Sequence, residues 1–484
     1  MPPVFPSRTA QRDSEAPAGQ GRVAATVAVA VLGVFAVYLP INGVAAALND
    51  IAASTAAGTA QLQWVSDAYV LPMAAAILSA GVFGDLHGRR RIFSLGLALT
   101  GVGGLVAALA GLLGGGAALP LLWSGQAMSG LGAGLLLPTT LALIAHAVPD
   151  ADDRGRYIGL WAAGVAAGLA VGPLLSGGIL EAGSGAWGWI FVPAATVSFA
   201  TLTYGHLCLP ESKSPEGRRP DWPGQITAAL AMVGLIFGVI EGGSRGWTSV
   251  YTLASLAVGA LALSAFLAVE RRAAAPLMDL RLFASPAFAT AAFASVVALF
   301  ATVGFTFLFS LYLGDVHHYS ALEIGVRLFL FAGVSAVANV PVGRLMRRVP
   351  PLALLSAGLA LAAVAAFLFT QVGPGTGFFD LAWRLALFGV SVSLMLTSVT
   401  VVSVNAAPWD LAGMASATST ALRQFGGALS PAVLGSVYAG CLAGDGTPTS
   451  AFHAALFTVS GLLALGFLGC LVGLVAALRH TPPA

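Results

Sequence analysis

Asp67, Glu323, Arg327, Asp380, Arg384 and Arg423 are among the ionisable side chains that fall inside long apolar stretches of this sequence. A charge in hydrocarbon surroundings is costly unless something neutralises or uses it, so each is a candidate for chemistry. Asp67 stands in Gln63-Trp64-x-x-Asp67-x-Tyr69, ~9 Å along a helix axis from the outer end of its stretch. A carboxyl at that depth suits proton exchange. Arg423 is the deepest charge, ~16 Å in from the arginine-rich side. A guanidinium there needs an anion, carbonyls or water. Glu323/Arg327 and Asp380/Arg384 are i,i+4 pairs with the acid first, near helix N-terminal ends. That order suits the side-chain geometry and the helix dipole, so both pairs read as mainly structural. Glu323 stays with Asp67 and Arg423 among the proton-coupling candidates. The cysteines Cys208, Cys441 and Cys470 lack metal-ligand spacing, and no nucleotide-binding loop occurs. The expectation is therefore no enzyme chemistry, no metal, no cofactor and no nucleic-acid partner.

The elements that hold these residues are apolar runs. Of 484 residues, 57% are hydrophobic and 9% charged, which no soluble fold accommodates. Fourteen runs are long enough to cross a bilayer, among them 23–48, 61–83, 157–180, 189–208, 225–241, 321–342 and 412–440. The first run is long and many follow it, so it reads as a retained span. With the N-terminus in the cytoplasm, 18 of the 22 basic residues fall in inside segments. Arg245 alone lies in an outside loop, and Arg327, Arg384 and Arg423 lie within runs. This alternation fixes both the count and an N-in, C-in topology.

The loop between runs two and three reads Gly81-x-x-x-Asp85-x-x-Gly88-Arg89-Arg90-Arg91. A degraded echo, Pro341-Val342-Gly343-Arg344-Leu345-Met346-Arg347-Arg348, follows run ten. With the pair at 225–269 removed, the two loops take equivalent places in two six-run halves, an organisation typical of secondary transporters. The expected division is a disordered cytoplasmic tail (1–22), an N-terminal six-helix bundle (23–208), a linker with two extra helices (209–285), a C-terminal six-helix bundle (286–478) and a short tail (479–484). Run five carries Gly164-x-x-x-Gly168-x-x-x-Gly172-Pro173-x-x-x-Gly177-Gly178. Glycines four apart give a smooth face for close helix packing, and Pro173 kinks the helix. Tyr38, Asn42, Tyr69, Trp123, Gln126, Trp161, Phe305 and Phe309 are candidates to line a central cavity for bulky compounds.

These motifs and the fourteen runs resemble the fourteen-span drug:proton antiporter branch of the major facilitator superfamily, over nearly the whole chain after Arg22. The resemblance implies an all-α polytopic membrane protein of two six-helix bundles plus two inserted helices. Function as a monomer in the inner, cytoplasmic membrane is the expectation, with small molecules and protons as partners and lipid around it. The implied activity is export of small hydrophobic or amphipathic drugs, antibiotics or metabolites by rocker-switch alternating access. The resemblance makes Gly81, Asp85, Gly88, Arg89 and Arg90 a conformational latch, and the run-five motif an antiporter signature. Three positions depart from it. Leu86 replaces a residue that is often basic, Gln126 replaces a buried arginine, and Pro40 stands where the branch carries an aspartate. The alternatives are uptake by proton symport, which Pro210-Glu211-Ser212 faintly suggests, and a sensor that keeps the fold without turnover.

Overall fold

The computed structural model describes residues 20–113, 115–148, 151–183, 187–209, 211, 221–273, 276–408 and 411–480. Fourteen helices follow one another: α1 (Gln20–Thr55), α2 (Thr59–His87), α3 (Arg89–Ala110), α4 (Ala118–Ala147), α5 (Ala151–Ala182), α6 (Val192–Cys208), α7 (Trp222–Arg245) and α8 (Val250–Glu270). The second set is α9 (Pro286–His317), α10 (Ala321–Leu345), α11 (Pro351–Phe369), α12 (Phe378–Asn405), α13 (Ala412–Ala443) and α14 (Pro448–His480). No strand occurs among the described residues. Thirteen of the helices are long and apolar enough to cross a membrane. The remaining one, α2, has 29 residues, a comparable length.

Local chemistry sets the helix ends where they differ from the apolar runs. α6 starts at Val192 because Pro193 occupies its first turn; a short 3-10 turn, Trp187–Phe191, precedes it. α7 outruns its apolar stretch because Asp221 caps it, accepting from the Gly224 amide at 2.9 Å. α1 already includes Gln20 to Arg22, residues expected to belong to the tail; residues 1–19 lie outside the described ones.

The packing repeats itself. α1 lies against α4, α5 and α6, α2 against α4, and α3 against α4 and α6. Eight helices later, α9 lies against α12, α13 and α14, α10 against α12, and α11 against α12 and α14. Two seams join the sets, α2 with α13 and α5 with α10, and α1 also meets α9 and α10. α7 covers the α2–α13 seam and carries α8 on its outer side. Gln225 of α7 donates to the Ala75 carbonyl of α2 and accepts from Ser79. Ser436 of α13 donates to the Val239 carbonyl of α7 at 3.0 Å.

The second set has an aromatic interior. Phe305 lies 4.4 Å from Phe388, 4.8 Å from Phe369 and 5.2 Å from Phe309, centroid to centroid. Phe305 and Phe309 are fully buried there, so they build the bundle interior rather than a cargo cavity.

Candidate functional site

The two seams are closed at one end and open at the other. On α10, an added Cβ at Gly325 would stand 2.4 Å from the Pro173 carbonyl oxygen of α5. Gly343 lies eighteen residues on, about five turns and hence on the same face. Nothing approaches its Cβ position within 4 Å. The α2 seam behaves alike. The Gln63 side chain presses on Gly435 of α13, while Gly81, again about five turns along, meets nothing within 4 Å. Between α1 and α9, Asn49 donates to the Ser310 carbonyl at 3.2 Å, and the Ser310 hydroxyl donates to the Ala45 carbonyl. All these contacts lie at the arginine-poor ends. By the charge rule that end faces out, so the structure is inward-facing.

The run-five motif explains why the seam closes so tightly. Gly164, Gly168 and Gly172 lie against α1, where added Cβ atoms would stand 3.1, 2.9 and 2.3 Å from the carbonyl oxygens of Val31, Phe35 and Leu39. At Pro173 the stripe changes partner. A Cβ on Gly177 would stand 2.6 Å from the Ala321 oxygen and 2.7 Å from Leu322 Cα, both on α10. Gly178 differs from the packing expectation, because no atom lies within 4 Å of its Cβ position.

Pro40, Asn42, Ser66, Tyr69, Gln126 and Thr306 help line a cavity of about 30 Å³ between α1, α2, α4 and α9. That is room for a water molecule or two, not for a bulky cargo. Backbone carbonyls fix the polar groups. Tyr69 donates to Val37 at 2.7 Å, Gln126 to Val65 at 2.9 Å and Asn42 to Leu169 at 3.3 Å. Trp161 does not join them; its indole N–H donates to Thr140 at 2.9 Å, tying α5 to α4. Tyr38 lies near enough to Arg423 to interact with its charge.

Asp67 is fully buried, and neither carboxyl oxygen has a hydrogen-bond partner. It sits about 40° around α2 from Gln63, which meets α13, and about 60° from Trp64. Trp64 packs on Phe237 of α7 at 5.9 Å. Asp67 thus points to the place where α2, α7 and α13 meet, away from cavity-lining Ser66 and Tyr69. The sequence marks its depth but not this cover, because no local pattern says where an inserted helix docks.

Arg423 does not contact Asp67. Gln424 donates to the Met73 sulfur at 3.6 Å, which sets Arg423 roughly level with Met73, ~9 Å inward of Asp67 along α2. Its Nη1 donates to the Thr400 hydroxyl at 3.3 Å, and no carboxylate among the described residues pairs with it. Arg423 is half-buried and Thr400 exposed, so both border the open space between the sets.

Glu323 is a helix cap. Its carboxylate accepts from the Ser320 amide at 2.9 Å while Ser320 accepts from the Glu323 amide at 3.4 Å. Arg327 bonds the Glu323 carbonyl at 2.7 Å rather than the carboxylate, and lies over the Tyr319 ring at 4.0 Å. Asp380 and Arg384 do pair, at 2.9 Å.

At the loop motif, Gly88 has φ +105°, and the Glu211 carboxylate lies against it. Arg90 donates to the His206 carbonyl at 2.7 Å, and Arg91 Nε lies 3.6 Å from Glu211 Oε2. The Arg89 stem packs 3.6 Å from the Cβ position of Gly84. The Asp85 side chain lies outside the described residues.

The model of the Major Facilitator Superfamily matches residues 30–431. The chain is 34% identical to multidrug resistance protein Stp of Mycobacterium tuberculosis (strain CDC 1551 / Oshkosh), over 85% of this chain and 75% of Stp. It is 30% identical to the tetracenomycin C resistance and export protein of Streptomyces glaucescens, over 86% of this chain and 76% of that protein. The crystal structure of peptide transporter POT in complex with sulfate superposes with a TM-score of 0.66, at 18% identity, over 94% of each chain.

Proposed function

The chain belongs to the major facilitator superfamily, and on that premise we propose that it exports small hydrophobic or amphipathic compounds from the cytoplasm in exchange for protons. The relatives named for multidrug resistance and for tetracenomycin C export support the direction. The observation that carries the mechanism is the pair of seams, closed outside through Gly325 and Gly435 and open inside at Gly343 and Gly81. Cargo enters from the cytoplasm between the halves. Rocking brings the Gly81 and Gly343 faces together and parts the outer contacts. The loop motif holds the alternate state, in which Asp85 and Arg89 are the latch.

Asp67 supplies the proton step in this reading. It is sealed behind α7 while the outer seam is closed. Opening of that seam gives it water from the outside, where it takes a proton; after reclosure the proton passes to the inward-open space, restoring the carboxylate for the next cycle. The protein works as a monomer in the cytoplasmic membrane. Glu211, which hints at uptake in the sequence, here props the Gly88 turn. The test is efflux from a pump-deficient host and from proteoliposomes, before and after collapse of the proton gradient. Compound-dependent efflux that stops with the gradient is expected. Purified protein that moves no compound across a broad panel refutes export.

A further inference from the structure

The open space between the halves has an unusual chemistry on its C-terminal wall. Ser393, Thr397 and Thr400 follow one another at helical spacing on α12, beside Arg423 of α13 and Asn339 of α10. The hydroxyl hydrogens of this wall are engaged, and so is its amide oxygen. Asn339 Oδ1 receives the hydroxyls of Ser393 at 2.6 Å and Thr397 at 3.0 Å. The Thr400 oxygen receives Arg423, and its own hydrogen goes to the Leu396 carbonyl at 3.1 Å. What the wall offers an anion is donors: the unshared N–H groups of Arg423 and the amide nitrogen of Asn339. The cation is not neutralised from across the space. Tyr38 lies near it, a neutral phenol, and Asp67 is turned into the α7–α13 seam. A guanidinium within a membrane span that borders open space and holds no carboxylate is placed to take an anion from it.

We propose that the cargo is an amphipathic organic anion whose carboxylate docks on Arg423 from the inward-open space, its remaining acceptors meeting Asn339. This rests on the export reading and narrows its substrate class. The planar guanidinium matches a planar carboxylate with two parallel bonds, whereas a cation or a purely apolar compound leaves the wall unsatisfied. An anionic cargo also fits the energetics, because an inside-negative potential drives it outward.

The test uses three probes on one ring: 1-naphthylacetic acid, its amide, and 1-naphthylethylamine. Binding to the purified protein is read by displacement, and transport in proteoliposomes with an imposed potential. The acid should bind at least about tenfold better than the amide, the expected size of a lost charge-assisted hydrogen bond. Arg423→Gln should erase that preference while leaving amide binding within about twofold. Arg423→Lys should restore part of it, keeping the charge without the fork. A wild type that prefers the amine, or shows no preference for the acid, overturns the proposal. So does Arg423→Gln that weakens acid and amide equally at unchanged thermal stability, since Arg423 is then a mechanical element. Preferential acid binding without transport of any probe refutes export while leaving the anion site standing.

Discussion

Gly177 offers the sharpest perturbation of alternating access, because the seam it serves exists in only one state. Adding a single Cβ places it 2.6 Å from the Ala321 oxygen and 2.7 Å from Leu322 Cα. Both obstacles are backbone, so no rotamer change relieves the overlap. Overpacking of this kind costs about 1–3 kcal/mol. The penalty applies only while the outer seam is closed, so Gly177→Ala should shift the inward/outward equilibrium toward outward-facing by about 5- to 150-fold.

Gly178 is the control within the same motif, since nothing lies within 4 Å of its Cβ position. The assay is a distance distribution between labels at Glu181 and Phe379, both exposed at the outer face, in a background with Cys208, Cys441 and Cys470 replaced. Gly177→Ala should populate a longer distance and slow transport. Gly178→Ala should match the parent in both. Gly172→Ala, whose Cβ would meet Leu39 of the same bundle at 2.3 Å, should lower thermal stability without favouring either state. An unchanged distribution in Gly177→Ala, or an equal effect in Gly178→Ala, refutes the seam argument.

Asp67→Asn preserves the shape of the sealed side chain, so the protein should fold and bind cargo while proton-driven efflux falls at least tenfold; undiminished proton-driven efflux eliminates Asp67 as the carrier. Gly88→Ala adds a Cβ at φ +105° and 2.3 Å from Glu211 Oε1. It should cost about 1 kcal/mol or more, and Glu211→Ala should rescue only part of that in a thermal-unfolding cycle. Asp279 accepts three side-chain bonds and one backbone bond from Arg281, which hold its carboxyl below the ordinary range, chiefly through the side chain. A depressed value gives stability at neutral pH that is lost as the pH falls through it. Asp279→Asn should therefore lower the melting temperature at pH 7, with the gap closing at pH well below about 4.

Why some of this was readable from residues alone has a physical answer. Apolar runs and arginine placement expose the helices because the bilayer imposes length and charge rules that local sequence must obey. A cap at Asp221 and a proline at Pro193 set two helix starts that the apolar runs do not mark. Asn42, Tyr69 and Gln126 converged on one cavity because each had to reach a carbonyl of a neighbouring helix. Phe305 and Phe309 were misplaced for the opposite reason. In a membrane protein the lipid face, the bundle interior and the cargo path all accept aromatic rings, so residue type does not distinguish them. Depth is readable, but facing is not. Asp67 and Arg423 both read as buried charges, yet α7 closes over one while the other borders open space. In the proposed mechanism that difference gives them separate tasks, the proton for Asp67 and the cargo for Arg423. Two opposite charges in contact would neutralise each other and do neither. Their separation, by ~9 Å along α2 and by the direction each faces, is what the proposed coupling of two different ions through one pair of seams requires.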